Sequence, residues 1–225
     1  GLKLRVLNLD DNLGAQLAEQ YADKTLKTYS INNPQANLYC RDVQYGSQGI
    51  NANVVTTQGE VLLRSPLLGR FNLSNLLAVT ATLSGMGYAM SDILAVIPQL
   101  TPPAGRMQAL AGENRPLVVV DYAHTPDALQ QVLIAMRSHV GQGGRLLCVF
   151  GCGGERDRGK RELMAAVAEA SADGLLITDD NPRNEDPAQI RADILAGLTP
   201  AANVVEYTER AAAIADAVAQ AGPND

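Results

Sequence analysis

The chain of 225 residues contains no tryptophan, two phenylalanines and three cysteines. Cys40, Cys148 and Cys152 form no C-x-x-C pair, and their number is odd. This argues against a disulfide framework or a structural zinc site and favours a reducing compartment. No apolar run reaches the roughly 18 residues of a membrane helix, and the first residues lack the pattern of a secretory signal. We therefore expect a soluble, cytoplasmic protein without a membrane span.

Positive charge is also scarce, because the formal net charge is −6 at pH 7. Broad nucleic-acid binding requires a basic face, so we expect no nucleic-acid partner. Hydrophobic residues are plentiful, at 46% of the chain, and leucine, valine, isoleucine and alanine dominate them. Such a composition is typical of helices packed on a mostly parallel sheet.

The segment TPPAG at residues 101–105 is the best candidate for a linker, since its prolines and glycine interrupt both helices and strands. Before it, the sequence predicts a strand and helix, several alternating strands with a hairpin turn at TTQGEV, a helix after Asn72, and a short helix capped by Ser91. We assign one domain to residues 1–101 and a second to residues 102–225.

The second half alternates buried-type strands with amphipathic helices four times. Thr125 and Asp186 each precede a proline, which is typical of a helix N-cap followed by the first helical position. A β-α-β-α succession of this kind predicts an α/β fold with a doubly wound parallel sheet. In such folds, ligands bind beyond the carboxyl ends of the strands.

Three of these four strands run into a dense polar loop at that position. The loop after the second of these strands, GCGGERDRGKR, resembles a phosphate-binding loop from Gly154 to Lys160, but Arg161 stands where a magnesium-binding Ser or Thr is needed. Its many glycines allow close backbone approach, and Arg156 and Arg158 offer forked donors for a carboxylate or phosphate. A solvated, charged turn that begins a helix is an equally good interpretation.

The loop DDNPRNEDP carries both signs of charge. Asp179 and Asp180 suit an ammonium group, and Arg183 suits a carboxylate, so the loop fits a zwitterion such as an amino acid. The alternative is a turn that leads into a helix. That alternative explains Asp186 but not Asn181 or Arg183.

Other polar residues have a functional and a structural interpretation side by side. Asp121, at a strand end, can accept hydrogen bonds from a ribose, and His124 can act as a general base or be structural. Arg106 offers a guanidinium to a ligand or to an ordinary salt bridge. Asn72 and Asn75 lie one turn apart on a helix, where their amides can contact an adenine edge or Asn72 can cap the helix.

Taken together and in order, these segments resemble those of the Mur ligases over essentially the whole chain. The resemblance is strongest to the branch that uses ATP to add meso-2,6-diaminopimelate to UDP-MurNAc-L-Ala-D-Glu. Of the matching segments, DNPR best distinguishes this branch from related ligases. The matching segments are NLDD, GRFNLSN, GRM, VVVDYAHTPDAL, FGCGGERDRGKR and TDDNPRNEDP. The resemblance implies a partial central ATPase domain followed by a Rossmann-like, amino-acid-binding C-terminal domain.

The resemblance also implies roles for ten residues of this chain. Asn72 and Asn75 are expected at the adenine, Arg106 at the ATP phosphates, Asp121 at the ribose and His124 close to the nucleotide. The expected diaminopimelate-binding residues are Arg156, Asp180, Asn181, Pro182 and Arg183. No residue is assigned as catalytic, and none as a metal ligand.

Three features of the family are missing from the sequence: its true phosphate-binding loop, a lysine that becomes carbamylated, and a late segment of the diaminopimelate pocket. We expect all three, with the main Mg²⁺ ligands, to lie outside this chain, which should then be an inactive fragment of a monomeric ligase. ATP and Mg²⁺ are the expected cofactors. The alternatives are the lysine-adding branch, a folylpolyglutamate synthase-like ligase, and a non-catalytic nucleotide- or amino-acid-binding module.

Overall fold

The computed structural model describes residues 2–23, 25–110, 112 and 114–225. Its contacts divide the chain into two compact units, Gly1–Pro102 and Pro103–Asp225. In the described part of the chain, no helix is both long and apolar enough to cross a membrane.

The first unit contains β1 to β5 and α1 to α3, followed by a single 3₁₀ turn at Ile97–Gln99. The bounds are β1 Arg5–Asn8, α1 Asn12–Gln20, β2 Leu26–Ser30, β3 Leu38–Gly46, β4 Gly49–Thr56, β5 Gly59–Ser65, α2 Arg70–Gly85 and α3 Met90–Val96.

These strands form a sheet in chain order. The first three run parallel, and β3, β4 and β5 are antiparallel, with the predicted hairpin turn closing at Thr56 and Gly59. Leu63, Leu73 and Leu77 are buried where α2 packs against the sheet. The expectation for α3 was wrong: the helix begins at Met90 after Ala89, so Ser91 lies inside it and is not its cap.

The second unit contains β6 to β10 and α4 to α7. The bounds are β6 Gln108–Leu110, β7 Val118–Val120, α4 Pro126–Arg137, β8 Leu147–Phe150, α5 Gly159–Ser171, β9 Gly174–Thr178, α6 Pro187–Leu195, β10 Val204–Tyr207 and α7 Arg210–Gln220.

A parallel sheet ordered β10-β9-β8 forms the centre of this unit, and every residue of β9 is buried. Leu175 and Ile177 of β9 pack with α4, α5 and α6 on one face of the sheet. Leu176 points the other way and packs against Ala213 and Ala217 of α7. Because successive side chains of a strand alternate between faces, helices cover both sides of the sheet, as in a Rossmann-like fold.

The strand β7, which the sequence predicted as a member of the parallel sheet, does not pair with that sheet. Val118–Val120 pairs antiparallel with Gln108–Leu110, and no ladder between β7 and β8 is present among the described residues. Two cavities, of about 710 and 300 Å³, are lined by residues of both strands. The cavities therefore lie between β7 and β8, where hydrogen bonds would join two paired strands. The larger cavity extends to the polar loops at the carboxyl ends of the strands.

Candidate functional site

The larger cavity, of about 710 Å³, brings together side chains from the loops that follow β7, β8 and β9. Six of the residues singled out in the sequence line it: Asp121, His124, Arg156, Asp180, Asn181 and Arg183. Pro182 and Arg106 are not among the lining residues. The parallel strands end at the same edge of the sheet, which explains why segments far apart in sequence meet there.

Two glycines allow the loop after β8 to lie directly against the loop after β9. A Cβ atom on Gly151 would lie 2.1 Å from the carbonyl oxygen of Thr178, and one on Gly154 would lie 1.9 Å from that of Pro182. The amide of Gly154 donates a hydrogen bond of 2.9 Å to the carbonyl oxygen of Asn181. Glycine is therefore required at both positions by contact with the neighbouring backbone.

Arg183 lies on the second of these loops in the left-handed backbone conformation, with φ of 51°. Its Nη1 donates to the carbonyl oxygen of Gly154, and its own amide donates to Asn181 Oδ1 at 3.3 Å. A guanidinium has five N–H donors, so several remain available to a ligand. Arg156 is exposed and makes no hydrogen bond or ion pair with another described residue.

Of the two adjacent acids at the end of β9, one already has a partner. Asp179 accepts from Nη1 of the buried Arg191, which also donates to Glu206 at 2.6 Å. Asp180 is exposed and lines the cavity. The suggestion that both acids meet an ammonium group is therefore limited to Asp180.

Beneath these loops lies Arg161, whose side chain is fully buried. It donates to both carboxylate oxygens of Glu185 at 3.0 Å and to Asp193 at 2.8 Å. Burial by itself lowers the pKa of Arg161, but the hydrogen bonds to Asp193 and Glu185 raise it overall. The residue that replaces the Ser or Thr of a phosphate-binding loop is thus a buried structural cation.

Asp121 is held at the end of β7 by two backbone amides. Its Oδ1 accepts from Ala123 at 2.8 Å, and its Oδ2 accepts from Met107 at 2.9 Å. These bonds fix the orientation of the carboxylate, and each oxygen keeps a further lone pair that can accept from a ribose hydroxyl.

The ring of His124 is oriented by its own loop. Nδ1 lies 3.0 Å from the carbonyl oxygen of Tyr122. A carbonyl oxygen only accepts, so Nδ1 carries the proton and Nε2 is the accepting atom of the neutral ring. The rings of Tyr122 and His124 have centroids 5.2 Å apart, and the guanidinium carbon of Arg106 lies 5.9 Å from the Tyr122 centroid.

Asn72 and Asn75 lie in α2 of the first unit and are described there by themselves. Asn72 does not cap the helix, which begins at Arg70 after Gly69. Its side chain instead donates to the carbonyl oxygen of Leu68 at 2.8 Å, while Asn75 is exposed.

Sequence reasoning missed three residues that line the same cavity, Tyr122, Lys160 and Arg210. Nζ of Lys160 donates to the carbonyl oxygen of His124 at 2.8 Å and so joins the loops after β7 and β8. The glycine-rich loop drew attention to Lys160 only as part of an incomplete phosphate-binding motif. Arg210, the first residue of the helix after the last strand, offered only its position as a signal.

The part of the chain that the structure describes gives no support for a metal centre or a reactive thiol at this site. In the described residues, no three His, Cys, Asp or Glu side chains come together as potential metal ligands. Cys152 lines the cavity, but burial raises the pKa of its thiol. Its Sγ lies 3.8 Å from the sulfur of Met164, so the thiol packs as a small apolar side chain.

The parallel sheet, with helices on both faces and polar loops at its carboxyl edge, defines an α/β protein of the Rossmann-like class. Residues 2–83 match the Mur ligase middle domain, and residues 105–225 match the Mur ligase glutamate ligase domain. The chain belongs to the Mur ligase family.

The chain is similar over its full length to two curated relatives named UDP-N-acetylmuramoyl-L-alanyl-D-glutamate--2,6-diaminopimelate ligase. It is 58% identical to the protein from Ectopseudomonas mendocina and 56% identical to that from Pseudomonas aeruginosa. In both comparisons it spans 46% of the length of the relative.

Solved structures agree with this assignment. One of a ligase of the same name has a TM-score of 0.77 and 40% identity, covering 100% of this chain and 46% of that one. A Mycobacterium tuberculosis folylpolyglutamate synthase complexed with ADP has a TM-score of 0.63 at 17% identity, covering 92% of this chain and 44% of that one. The second likeness shows the fold alone, so the fold does not separate these two activities.

Proposed function

We propose that this chain supplies ATP-binding and amino-acid-binding parts of a ligase that joins meso-2,6-diaminopimelate to the D-glutamate of UDP-MurNAc-L-Ala-D-Glu. Residues 1–101 would be the second half of the central ATP-binding domain, and residues 102–225 the amino-acid-binding domain. The observation that carries the proposal is the cavity at the carboxyl ends of the strands, which Arg156, Asp180 and Arg183 line together. The names of relatives that match the entire chain support it.

The charges of the cavity suit a diamino dicarboxylic acid. The guanidinium groups of Arg156 and Arg183 can each bind a carboxylate through paired N–H donors. Asp180 supplies the opposite charge for an ammonium group, and the amide of Asn181 adds a donor and an acceptor. Lysine lacks the second carboxylate, so it would leave one guanidinium without its counter-ion.

The nucleotide assignments belong to the same proposal. On the second unit, Arg106 would contact phosphate, Asp121 the ribose, and His124 would lie close to the nucleotide. On the first unit, Asn72 and Asn75 would contact adenine. The reaction would form an acyl phosphate on the D-glutamyl γ-carboxylate, which the amine of diaminopimelate attacks with release of phosphate. Such chemistry depends on charge neutralisation and positioning more than on a protein nucleophile.

Mg²⁺, which the family's chemistry implies, is not accommodated by the described residues. Among the described residues, no three His, Cys, Asp or Glu side chains come together as potential ligands, and Asp179 already pairs with Arg191. That the main Mg²⁺ ligands lie outside this chain stays a prediction.

The test is a panel of amino acids in an ATP-to-phosphate assay, using a full-length ligase that contains this chain. We expect diaminopimelate to be preferred over lysine by about 100-fold or more in kcat/KM, because lysine leaves a binding group unpaired. Equal use of lysine or glutamate would support the lysine-adding or folylpolyglutamate synthase alternatives, and no turnover with any amino acid would support a binding module.

A single substitution assigns the preference to this site. Arg183→Ala should raise the KM for diaminopimelate far more than the KM for ATP. Arg137→Ala is the matched control, because Arg137 is also an exposed arginine but pairs with Asp173 at the opposite ends of the strands. Equal increases of both KM values in Arg183→Ala would contradict the assignment.

A further inference from the structure

The geometry points to Glu185 as a positioning residue of the amino-acid site: through the buried Arg161, it fixes the spacing between the loops that carry Arg156 and Arg183. This inference rests on the proposed function for its substrate. It concerns a residue that contacts neither the cavity nor, in the proposal, the substrate.

Glu185 contacts three residues, two in the loop after β8 and one in the first turn of α5. Both carboxylate oxygens accept from Nη2 of Arg161 at 3.0 Å. Oε1 also accepts the amide of Glu155 at 2.5 Å, and Oε2 lies 3.1 Å from Nη2 of Arg158. The carboxylate is thus surrounded by donors that all belong to the neighbouring loop or to the first turn of α5.

These contacts lie directly beside the two ligand-binding arginines in sequence. Glu155 precedes Arg156, and Glu185 follows Arg183 by two residues. Glu155 and Arg183 both adopt the left-handed backbone conformation, with φ of 53° and 51°. That conformation is unfavourable for a residue with a side chain, and it persists only where the surroundings hold it.

Two further hydrogen bonds fix the turn that carries Arg183 and connect it to the loop that carries Arg156. The amide of Glu185 donates to the carbonyl oxygen of Pro182 at 3.0 Å, which closes the turn that carries Arg183. Between the two loops, Asn184 Nδ2 donates to Oε1 of Glu155 at 2.6 Å. Hydrogen bonds of Glu185 and Asn184 therefore connect the backbone segment around Arg156 to the one around Arg183. The two guanidinium groups extend from these connected segments.

Stability alone is a poor explanation for this arrangement. A buried ion pair is often no more stabilising than apolar side chains of similar volume, whereas it does restrict conformation. Arg161 is completely buried, and it has a second acidic partner in Asp193. One carboxylate would therefore already give this cation a counter-ion. The second carboxylate, from Glu185, adds the connection to the backbone of the neighbouring loop.

The decisive variant is Glu185→Gln in the full-length ligase, which keeps the shape and removes the charge. We expect the KM for diaminopimelate to rise about tenfold or more, since displacements of about 1 Å at a positioned site have effects of this size. The KM for ATP should stay within about twofold. Unchanged KM values for diaminopimelate, or equal increases of both KM values, would overturn the inference.

Asp173→Asn is the matched control. Asp173 also accepts from an arginine, Arg137, at 2.6 Å and from a backbone amide, that of Leu146, at 2.7 Å. It lies at the amino-terminal end of β9, so its loss removes similar bonds at the opposite ends of the strands from the loops that carry Arg156 and Arg183. A KM shift for diaminopimelate of the same size in Asp173→Asn would assign the effect to stability and overturn the inference.

Two further measurements keep the inference testable. If Glu185→Gln does not fold, Glu185→Asp keeps the charge but shortens the reach, and it should raise the KM for diaminopimelate selectively but less. If the parent ligase does not use diaminopimelate, the proposed function fails while amide exchange still decides the inference. Faster exchange of the Gly154 and Glu155 amides in Glu185→Gln would support the connection between loops, and unchanged exchange would overturn it.

Discussion

Gly154→Ala tests how closely the two loops of the candidate site must approach. A Cβ at this position would lie 1.9 Å from the carbonyl oxygen of Pro182, whereas Cβ atoms essentially never approach other atoms within 3.0 Å. The contact is with backbone, so a side-chain rotation cannot relieve it. The two loops must therefore separate by about 1.1 Å, the difference between these two distances.

That displacement breaks bonds that join the loops. The hydrogen bond of 2.9 Å from Gly154 to Asn181 would lengthen to about 4.0 Å if it opened in the same direction, too far for a hydrogen bond. The bond from Arg183 to the Gly154 carbonyl oxygen would weaken with it. Two hydrogen bonds at about 0.5–1.5 kcal/mol each predict a loss of about 1–3 kcal/mol in the free energy of unfolding.

The functional effect should be larger than the loss of stability suggests. A misplacement of about 1 Å can cost about 100-fold in rate at a positioned site. We therefore expect kcat/KM for diaminopimelate to fall about 100-fold in a full-length ligase, with the KM for ATP changed little. Urea unfolding of this chain and steady-state kinetics of the ligase measure the two quantities.

Gly153→Ala is the control, because it makes the same change one residue earlier. Its Cβ would lie 3.2 Å from Nη1 of Arg183, the mobile end of a side chain, and 3.5 Å from the carbonyl oxygen of Asn181. A few tenths of an ångström of movement suffice there. If Gly154→Ala and Gly153→Ala behaved alike, the close approach of the loops would not be what positions the site.

Three further predictions concern the folded chain. Hydrogen bonding from Arg137, with help from the Leu146 amide, lowers the pKa of Asp173, so its stabilisation is complete above the unfolded pKa of about 4 and is lost as the pH falls through the lower folded pKa. Asp173→Asn should therefore be less stable than the parent in urea at neutral pH, and the difference should shrink as the pH falls below the unfolded pKa and through the lower folded one; a difference that stays constant in acid would contradict this. Burial raises the pKa of Cys148 to about 12, so iodoacetamide at neutral pH should label it only in denaturant, as mass spectrometry can check, and rapid labelling of the native chain would contradict its burial. Leu77→Ala, at a fully buried position, should cost about 2–5 kcal/mol of unfolding free energy, whereas Val79→Ala, at a position 52% exposed, should cost much less, and similar losses would contradict the assigned core.

The sequence predicted local features well where one residue type has one physical use. Thr125 and Asp186 cap helices that begin at prolines, as expected, because a short side-chain oxygen accepts the free amides of the first turn. The short helix at Met90 was placed two residues late, with Ser91 instead of Ala89 at the N-cap, since no side chain caps it. The strand at Val118 was expected in the parallel sheet, but which neighbour a buried-type strand pairs with depends on the whole sheet.

At the candidate site, too, some features follow from the sequence and others depend on the tertiary structure. By itself, the sequence determined that polar loops follow each strand and that Arg156 and Arg183 lie on two of them, because the alternation of strands and helices places those loops at one edge of a sheet. Only the tertiary structure decided how close the loops lie and what joins them. The glycine contacts with neighbouring carbonyl oxygens, and the burial of Arg161 between Glu185 and Asp193, connect residues about 24–32 positions apart. Such contacts depend on how strands pack side by side, which no local pattern in the chain encodes.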